Sequence, residues 1–359
     1  MNNIAVILGN VAVSRSGILL ALSALCTILM ALALRQRQGR PLLPTAWTLL
    51  LILLLSLPLA RLVHWYCNAP QYSSFRAAMT DYSRGGFSLV GVYFALAVVL
   101  AAGRIGGWLP DTLAVLDCLA PAGALGMSVG RMSCLFTAAD RSKFTLEGER
   151  FRRLPFMISS VNAAGAEEWR IATFCFEAIT AFIIFAVLYA LFRRLTTRER
   201  LHPEWKDGNV FFLFLALYGA VEVVLDSTCY DALYLRSNGF VSVVQIICAA
   251  GLIVSAVIYS IRSVKTNGRR GLHFVLWAVF LAGAGVGGCM EYYVQRHGNR
   301  FLFCYSIMST MFLLCFGVTA YLQYTCGAGS ETVPVQTAYD RPSRTRRGGS
   351  RRGGSHCAR

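Results

Sequence analysis

The sequence predicts an all-α polytopic membrane bundle of about nine transmembrane helices, on three observations. The 359 residues are 56% hydrophobic and only 14% charged, with a mean hydropathy of +0.53, a balance that excludes an ordinary soluble domain. Apolar runs long enough to cross a hydrocarbon core of roughly 30 Å fall at about 17–34, 45–66, 86–103, 111–130, 172–192, 209–227, 240–261, 272–290 and 301–324. The alternating ten-residue pattern of an outer-membrane barrel is missing, so the spans are helices that satisfy their own backbone.

Taken in order, the first run has no basic segment before it and reads as an uncleaved helix more than as a signal peptide. The second carries Arg61 and His64 near its far end. The fourth, LDCLAPAGALGMSVGR, opens with Asp117 and closes on Gly130 and Arg131. A long loop over 131–171 follows. The fifth run holds Glu177, the sixth holds Glu222 and Asp226 one turn apart, and the seventh holds Gln245. Residues 1–262 form the core, with 131–171 its outer-face loop, and 263–325 add two further helices. Residues 326–359 form an Arg-rich tail with almost nothing apolar to bury, expected to be disordered along the anionic inner leaflet. Binding of RNA by that tail is the alternative its arginine-glycine composition leaves open.

The net charge of +16 does not point to nucleic acid, because it concentrates in alternate loops. Arg35, Arg37 and Arg40 follow the first run, Arg193, Arg194 and Lys206 the fifth, and Arg262, Lys265, Arg269 and Arg270 the seventh. The positive-inside rule makes that face cytoplasmic, with the N-terminus outside and the C-terminus inside. No nucleic-acid partner is expected. The twelve cysteines contain no CxxC pair, and the five histidines are scattered, so neither a metal site nor a cofactor is expected. Cys67, Cys134 and Cys229 fall near the outer face, where a disulfide is open but not fixed by sequence.

The polar residues inside the runs are the functional candidates. A guanidinium at the bilayer centre costs roughly 2.5 to 3.5 kcal/mol by insertion scales, so it faces a cavity, a partner or a headgroup. Arg131 keeps its charge and has the planar fork that suits a phosphate. Arg61 shares its level, with snorkelling to the outer headgroups as the simpler alternative. The carboxylates Glu177, Glu222 and Asp226 either form structural ion pairs with these arginines or aim them at a phosphate. Gln245 must find a hydrogen bond. Gly126 to Gly130 also match GxSxG around Ser128, but a nucleophile elbow needs a strand-to-helix turn, and this serine lies in a continuous apolar helix. A close helix contact through Gly126 and Gly130 explains the glycines more simply, and close packing likewise explains AGAGVGG at 282–288.

In this order the residues resemble the bacterial prolipoprotein diacylglyceryl transferase family over roughly 15–261. LARLVH keeps the arginine of the family's first segment as Arg61, and FSLVGV at 87–92 stands for its second. LDCLAPAGALGMSVGRMSCLF is the most specific match, keeping Asp117, Ala120, Pro121, Gly126, Gly130 and Arg131. TFCFEA keeps Glu177, LYGAVEVVLD keeps Tyr218, Gly219 and an acid at Asp226, and FVSVVQI keeps Gln245. The chain departs from the pattern at three places. Arg84, Gly85 and Gly86 stand where the family has a histidine segment, Glu222 replaces its second arginine, and Cys134 replaces its asparagine.

The resemblance implies a helical bundle with a central cavity open laterally to lipid. It implies transfer of diacylglyceryl from phosphatidylglycerol to the lipobox cysteine of a lipoprotein precursor, with Arg131 and Arg61 on the phosphate. Asp117, Gly130, Glu177, Glu222, Asp226 and Gln245 would line the substrate site. His64 is the candidate base in place of the absent histidine. A phospholipid-binding or assembly protein that has lost transfer is the alternative.

Overall fold

The computed structural model describes residues 4–8, 11–80, 86–137, 139–146, 153–161, 167–197, 200–201, 206–235, 238–268, 271–298 and 300–327. Every expected apolar run is a helix: α1 (Arg15–Arg37), α2 (Leu42–Cys67), α4 (Leu89–Ile105), α5 (Thr112–Arg131), α6 (Thr173–Leu195), α7 (Asn209–Thr228), α8 (Val243–Asn267), α9 (Gly271–His297) and α10 (Phe301–Gly327). A short α3 (Phe75–Thr80) precedes α4. Eight of these are long and apolar enough to cross a membrane, and α4, at 17 residues, is a shorter apolar helix. The chain is therefore a multi-pass membrane protein. Residues 328–359 of the tail, and Arg84 and Gly85, lie outside the described residues, while 326 and 327 end α10.

Short strands fill the connections. β1 (Ile4–Leu8) and β2 (Val11–Ser14) form a hairpin before α1, while β3 (Thr145–Leu146), β4 (Met157–Val161) and β5 (Glu167–Ile171) make an antiparallel sheet with β5 central. β6 (Thr196–Thr197) pairs with β7 (Arg200–Leu201), and β8 (Tyr234–Leu235) with β9 (Asn238–Ser242). The hydropathy of the sequence carries no sign of these pairs, because two-to-five-residue strands exist by virtue of their partners.

α7 is the most buried span, packed between α8, α5 and α6, and its apolar side chains Val210, Ala216 and Val223 belong to the main core. Two close approaches set the rest. A Cβ on Gly126 would meet Thr27 Oγ1 at 1.9 Å, and Ser23 Oγ donates to the Gly126 carbonyl at 2.6 Å, so α1 and α5 interlock. A Cβ on Gly91 would fall 2.3 Å from Ala60 backbone, which fixes α4 against α2 beside Arg61.

The ends opposite Arg131 are tied by charge. Arg35, fully buried, reaches Asp111 at 2.5 Å, and Arg40 bridges Asp111 at 3.2 Å to Asp207 at 3.1 Å. Asp117 accepts from the amides of Gly208 at 2.7 Å and Phe211 at 2.9 Å, so α5 supplies the cap that starts α7. A lateral groove of about 360 Å³ opens between α2 and α4. Leu51, Leu54, Val98, Ala102 and Trp108 line it, with no charged side chain.

Candidate functional site

Antiparallel connection brings the C-terminal ends of α5 and α7 to the same level as the N-terminal ends of α6 and α8. Arg131, in the last turn of α5, there meets three acids. Its Nη1 lies 2.6 Å from Asp140 Oδ2 and 3.1 Å from Glu177 Oε2, and its Nη2 lies 2.7 Å from Glu222 Oε1. Glu177 and Glu222 are almost wholly buried, while the Arg131 side chain keeps 18% exposure. One guanidinium facing three carboxylates leaves a formal charge of −2 when all four groups are ionised. The arginine is thereby oriented by its partners and remains reachable from one side.

Asp140 was a loop acid without a role in the sequence. The structure holds it at φ +53, in the left-handed region that Asp tolerates better than most residues. Its amide donates to Asp231 Oδ1 at 3.0 Å, and the Cys134 thiol donates to its Oδ2 at 3.2 Å. Burial and then the charge of Asp140 push the Asp231 carboxyl above its ordinary value. Cys229 reaches Glu177 Oε1 at 3.6 Å, and Cys134 and Cys229 are free thiols.

Asp226, one turn beyond Glu222, accepts from Ser242 Oγ rather than from an arginine. Ser242 and Gln245 form a capping box at the start of α8. Gln245 Oε1 accepts from the Ser242 backbone N–H at 2.9 Å, and the Gln245 backbone N–H donates to Ser242 Oγ at 3.0 Å. The S-x-x-Q spacing before an apolar run is a sequence signal for that arrangement. Tyr218 stands within hydrogen-bonding reach of Glu222.

Arg61 and His64 build a second group on α2. Arg61 is 1% exposed, with Nε donating to the Ala78 carbonyl at 2.5 Å and Nη1 to the Gly86 carbonyl at 3.0 Å. Its guanidinium lies 5.3 Å from the Tyr72 ring and 5.6 Å from that of Phe87. The Tyr72 hydroxyl lies 3.0 Å from His64 Nδ1; in the tautomer whose Nδ1–H donates to that hydroxyl, Nε2 is the nitrogen able to take a proton. Gly86 packs against both Arg61 and His64, so the segment that departs from the family's histidine motif supplies a carbonyl and close approach instead.

The remaining expected site residues fall elsewhere. Asp117 lies fourteen residues before Arg131, about 21 Å along the helix at the usual rise, and its carboxylate is engaged by the α7 cap. Gly130 faces α1, where a Cβ would meet Ser23 Oγ at 3.1 Å. Ser128 belongs to continuous helix, with no strand-to-helix turn around it. Among the described residues no group of three His, Cys, Asp or Glu is placed to hold a metal ion.

Comparison with known proteins covers the same stretch. The model of the prolipoprotein diacylglyceryl transferase family matches residues 3–261. A phosphatidylglycerol–prolipoprotein diacylglyceryl transferase of Lactobacillus delbrueckii subsp. bulgaricus is 27% identical over 273 residues, covering 74% of this chain and 93% of its own. Its counterpart in Lactiplantibacillus plantarum is 26% identical over 264 residues, covering 71% and 89%. Arg131, Glu177, Glu222, Asp226 and Gln245 lie inside the matched stretch, and α9 and α10 lie past it.

Proposed function

The chain belongs to the prolipoprotein diacylglyceryl transferase family, and on that premise we propose that it moves diacylglyceryl from phosphatidylglycerol to the lipobox cysteine of a lipoprotein precursor at the outer face of the plasma membrane. The acceptor thiol loses its proton and attacks the glyceryl carbon, the carbon–oxygen bond to phosphate breaks, and glycerol phosphate leaves with the electron pair. Two demands follow: a group that takes the thiol proton and a cation that steadies the departing phosphate.

The observation that carries this reading is Arg131, set by Asp140, Glu177 and Glu222 at a site both buried and open on one side. A phosphate approaching the exposed side of that fork meets a cation already oriented, so little ordering remains to be done on binding. Arg61, buried with its guanidinium on the Ala78 and Gly86 carbonyls, adds positive potential without touching the phosphate, and its neighbour His64 takes the thiol proton at Nε2 with its Nδ1–H on the Tyr72 hydroxyl. No cofactor or metal is required by this balance.

A second reading, phospholipid binding without transfer, rests on the same cluster: three carboxylates already draw on Arg131, which leaves it less charge to give to a departing phosphate. One experiment separates the two. Purified protein is given labelled phosphatidylglycerol and a lipobox peptide, alongside a family member of known activity. Peptide-linked diacylglycerol supports transfer; its absence, with normal product from the control, rules transfer out. Binding of phosphatidylglycerol unchanged in Arg131→Ala would remove the phosphate role from Arg131.

A further inference from the structure

Behind the Arg131 cluster, a second polar group joins the matched core to the appended helices. Glu291 of α9 is 5% exposed. Its Oε2 accepts from Ser227 Oγ at 2.5 Å, and its Oε1 accepts from Gln245 Nε2 at 3.1 Å and Gln295 Nε2 at 2.8 Å. Gln245 Nε2 also donates to the Val223 carbonyl at 3.0 Å. Both ends of the Gln245 amide are thus engaged, one by its own capping box and one by the appended helix. Ser242 of that box donates to Asp226, and Ser227 is the next residue on α7. From α10, Tyr305 OH comes within 3.1 Å of Ser227 Oγ.

Two helices meeting inside a membrane pack well through apolar and small side chains, as Gly287 of α9 does against Phe312 of α10. A buried carboxylate is a costly alternative unless its lone pairs are met by donors. Here three neutral donors meet it, and Lys143, whose Nζ donates to Gln295 Oε1 at 3.2 Å, adds a positive charge nearby without a direct ion pair. What the acid adds over a hydrocarbon is direction: it fixes which way the Gln245 amide and the Ser227 hydroxyl point. Both sit next to Asp226, one turn from the acid that holds Arg131.

The geometry points to Glu291 as a positioning residue, supplied by the appended helix α9, that orients Gln245 and through the Ser242 turn sets Asp226 behind the Arg131 cluster. The site is then completed by a part of the chain beyond residue 261, where the family match ends. The kinetic part of its test rests on the transferase reading above; the exchange part does not.

The test uses the full-length protein as wild type, Glu291→Gln, Glu291→Ala, and the reciprocal Gln245→Glu/Glu291→Gln. Ser255→Ala is the control, a buried α8 serine whose hydroxyl bonds Gly251 of its own helix. The first readout is kcat and KM for transfer from phosphatidylglycerol to a lipobox peptide. The second is hydrogen exchange at the Ser242 amide, which reports on Gln245 because it donates to Gln245 Oε1. Loss of a hydrogen bond to a charged group implies a fall in kcat of about tenfold or more in both single variants, with KM within about twofold. Exchange at Ser242 should rise while residues 209–216 of α7 stay protected, and the reciprocal pair, which restores a donor facing an acceptor between 245 and 291 but takes the donor from the Val223 carbonyl, should recover only part of both losses.

Wild-type kcat in Glu291→Ala overturns the proposal. So does an increase in exchange spread evenly over all helices, which would make Glu291 a general packing residue. If the wild type transfers nothing while the control family member does, the transferase reading falls and exchange alone decides: a local rise at Ser242 sustains the positioning role, and an unchanged Ser242 overturns it.

Discussion

Arg131 and Glu222 face each other across the contact between α5 and α7, with Nη2 2.7 Å from Oε1. The acid stands where the family resemblance places a second arginine. From sequence alone, restoring that arginine looks like a repair. With the pair in view it is the reverse, because Glu222→Arg sets two guanidiniums side by side with the shared acid removed. The variant should melt well below wild type and bind less phosphatidylglycerol, whereas Glu222→Gln, which keeps an acceptor oxygen, should lose less on both counts. Thermal melting in detergent with a lipid-binding assay checks this; a Glu222→Arg variant that melts and transfers as well as wild type would show that the pair is dispensable.

Arg131→Ala leaves Asp140, Glu177 and Glu222 together without their cation. Breaking a buried pair from one side costs about 3–5 kcal/mol, so the variant should be strongly destabilised. Arg131→Lys keeps the charge but cannot hold Glu222 on one nitrogen while meeting Asp140 and Glu177 on the other. It should fold and lose about 100-fold or more in kcat/KM, a transition-state deficit of about 2.7 kcal/mol. Steady-state kinetics on the folded Lys variant decides the matter.

His64→Ala should lower kcat with KM nearly unchanged, and Tyr72→Phe should do so more mildly, since the hydroxyl 3.0 Å from Nδ1 orients the ring without taking a proton. The deficit of His64→Ala should shrink toward pH 9, where a peptide thiol of ordinary value near about 8.5 ionises unaided. A deficit of constant size across the pH range would assign His64 to structure instead of proton transfer.

Acid stability reports on the other end of the bundle. Partial burial favours the protonated Asp111 carboxyl, but the hydrogen bond and charge of Arg35, joined by Arg40, outweigh it and hold the group below its ordinary value. The stabilisation is therefore complete above the ordinary carboxylate value of about 3.9 and is lost as pH falls through the lowered one. Melting curves from neutral pH downward should show wild type losing more than Asp111→Asn on the acid limb, the two converging at the lowest pH. Parallel curves would mean that the Arg35 contact carries no pH-dependent stability.

Length and hydropathy are local properties, so all nine helices were legible in the chain, with ends displaced by a few residues where polar last turns such as Tyr292–His297 of α9 continue the helix. The set of polar side chains was legible too, because Arg131, Glu177, Glu222 and Gln245 each interrupt an apolar run. Their pairing was not. Asp140 enters the cluster through a left-handed turn in a loop whose strands depend on one another, and no periodicity encodes that. Asp117 carries a family-matched position yet caps α7, a partner fixed by the packing of α5 alongside the start of that helix. Glu291 sits one residue past the apolar run that defines its helix, where an acid reads as a solvated end until its carboxylate is seen to reach Ser227 of α7 and Gln245 of α8.

The interlock of α1 with α5 has a bearing on traffic through the membrane. Ser23 and Thr27 seat against Gly126 with no space for even one added carbon, immediately upstream of Arg131. That seam cannot part to admit a lipid tail without breaking a hydrogen bond and separating backbone from side chain. Along this flank the Arg131 cluster has a fixed wall, so under the proposed phosphate role a headgroup would have to reach Arg131 from another side of the bundle.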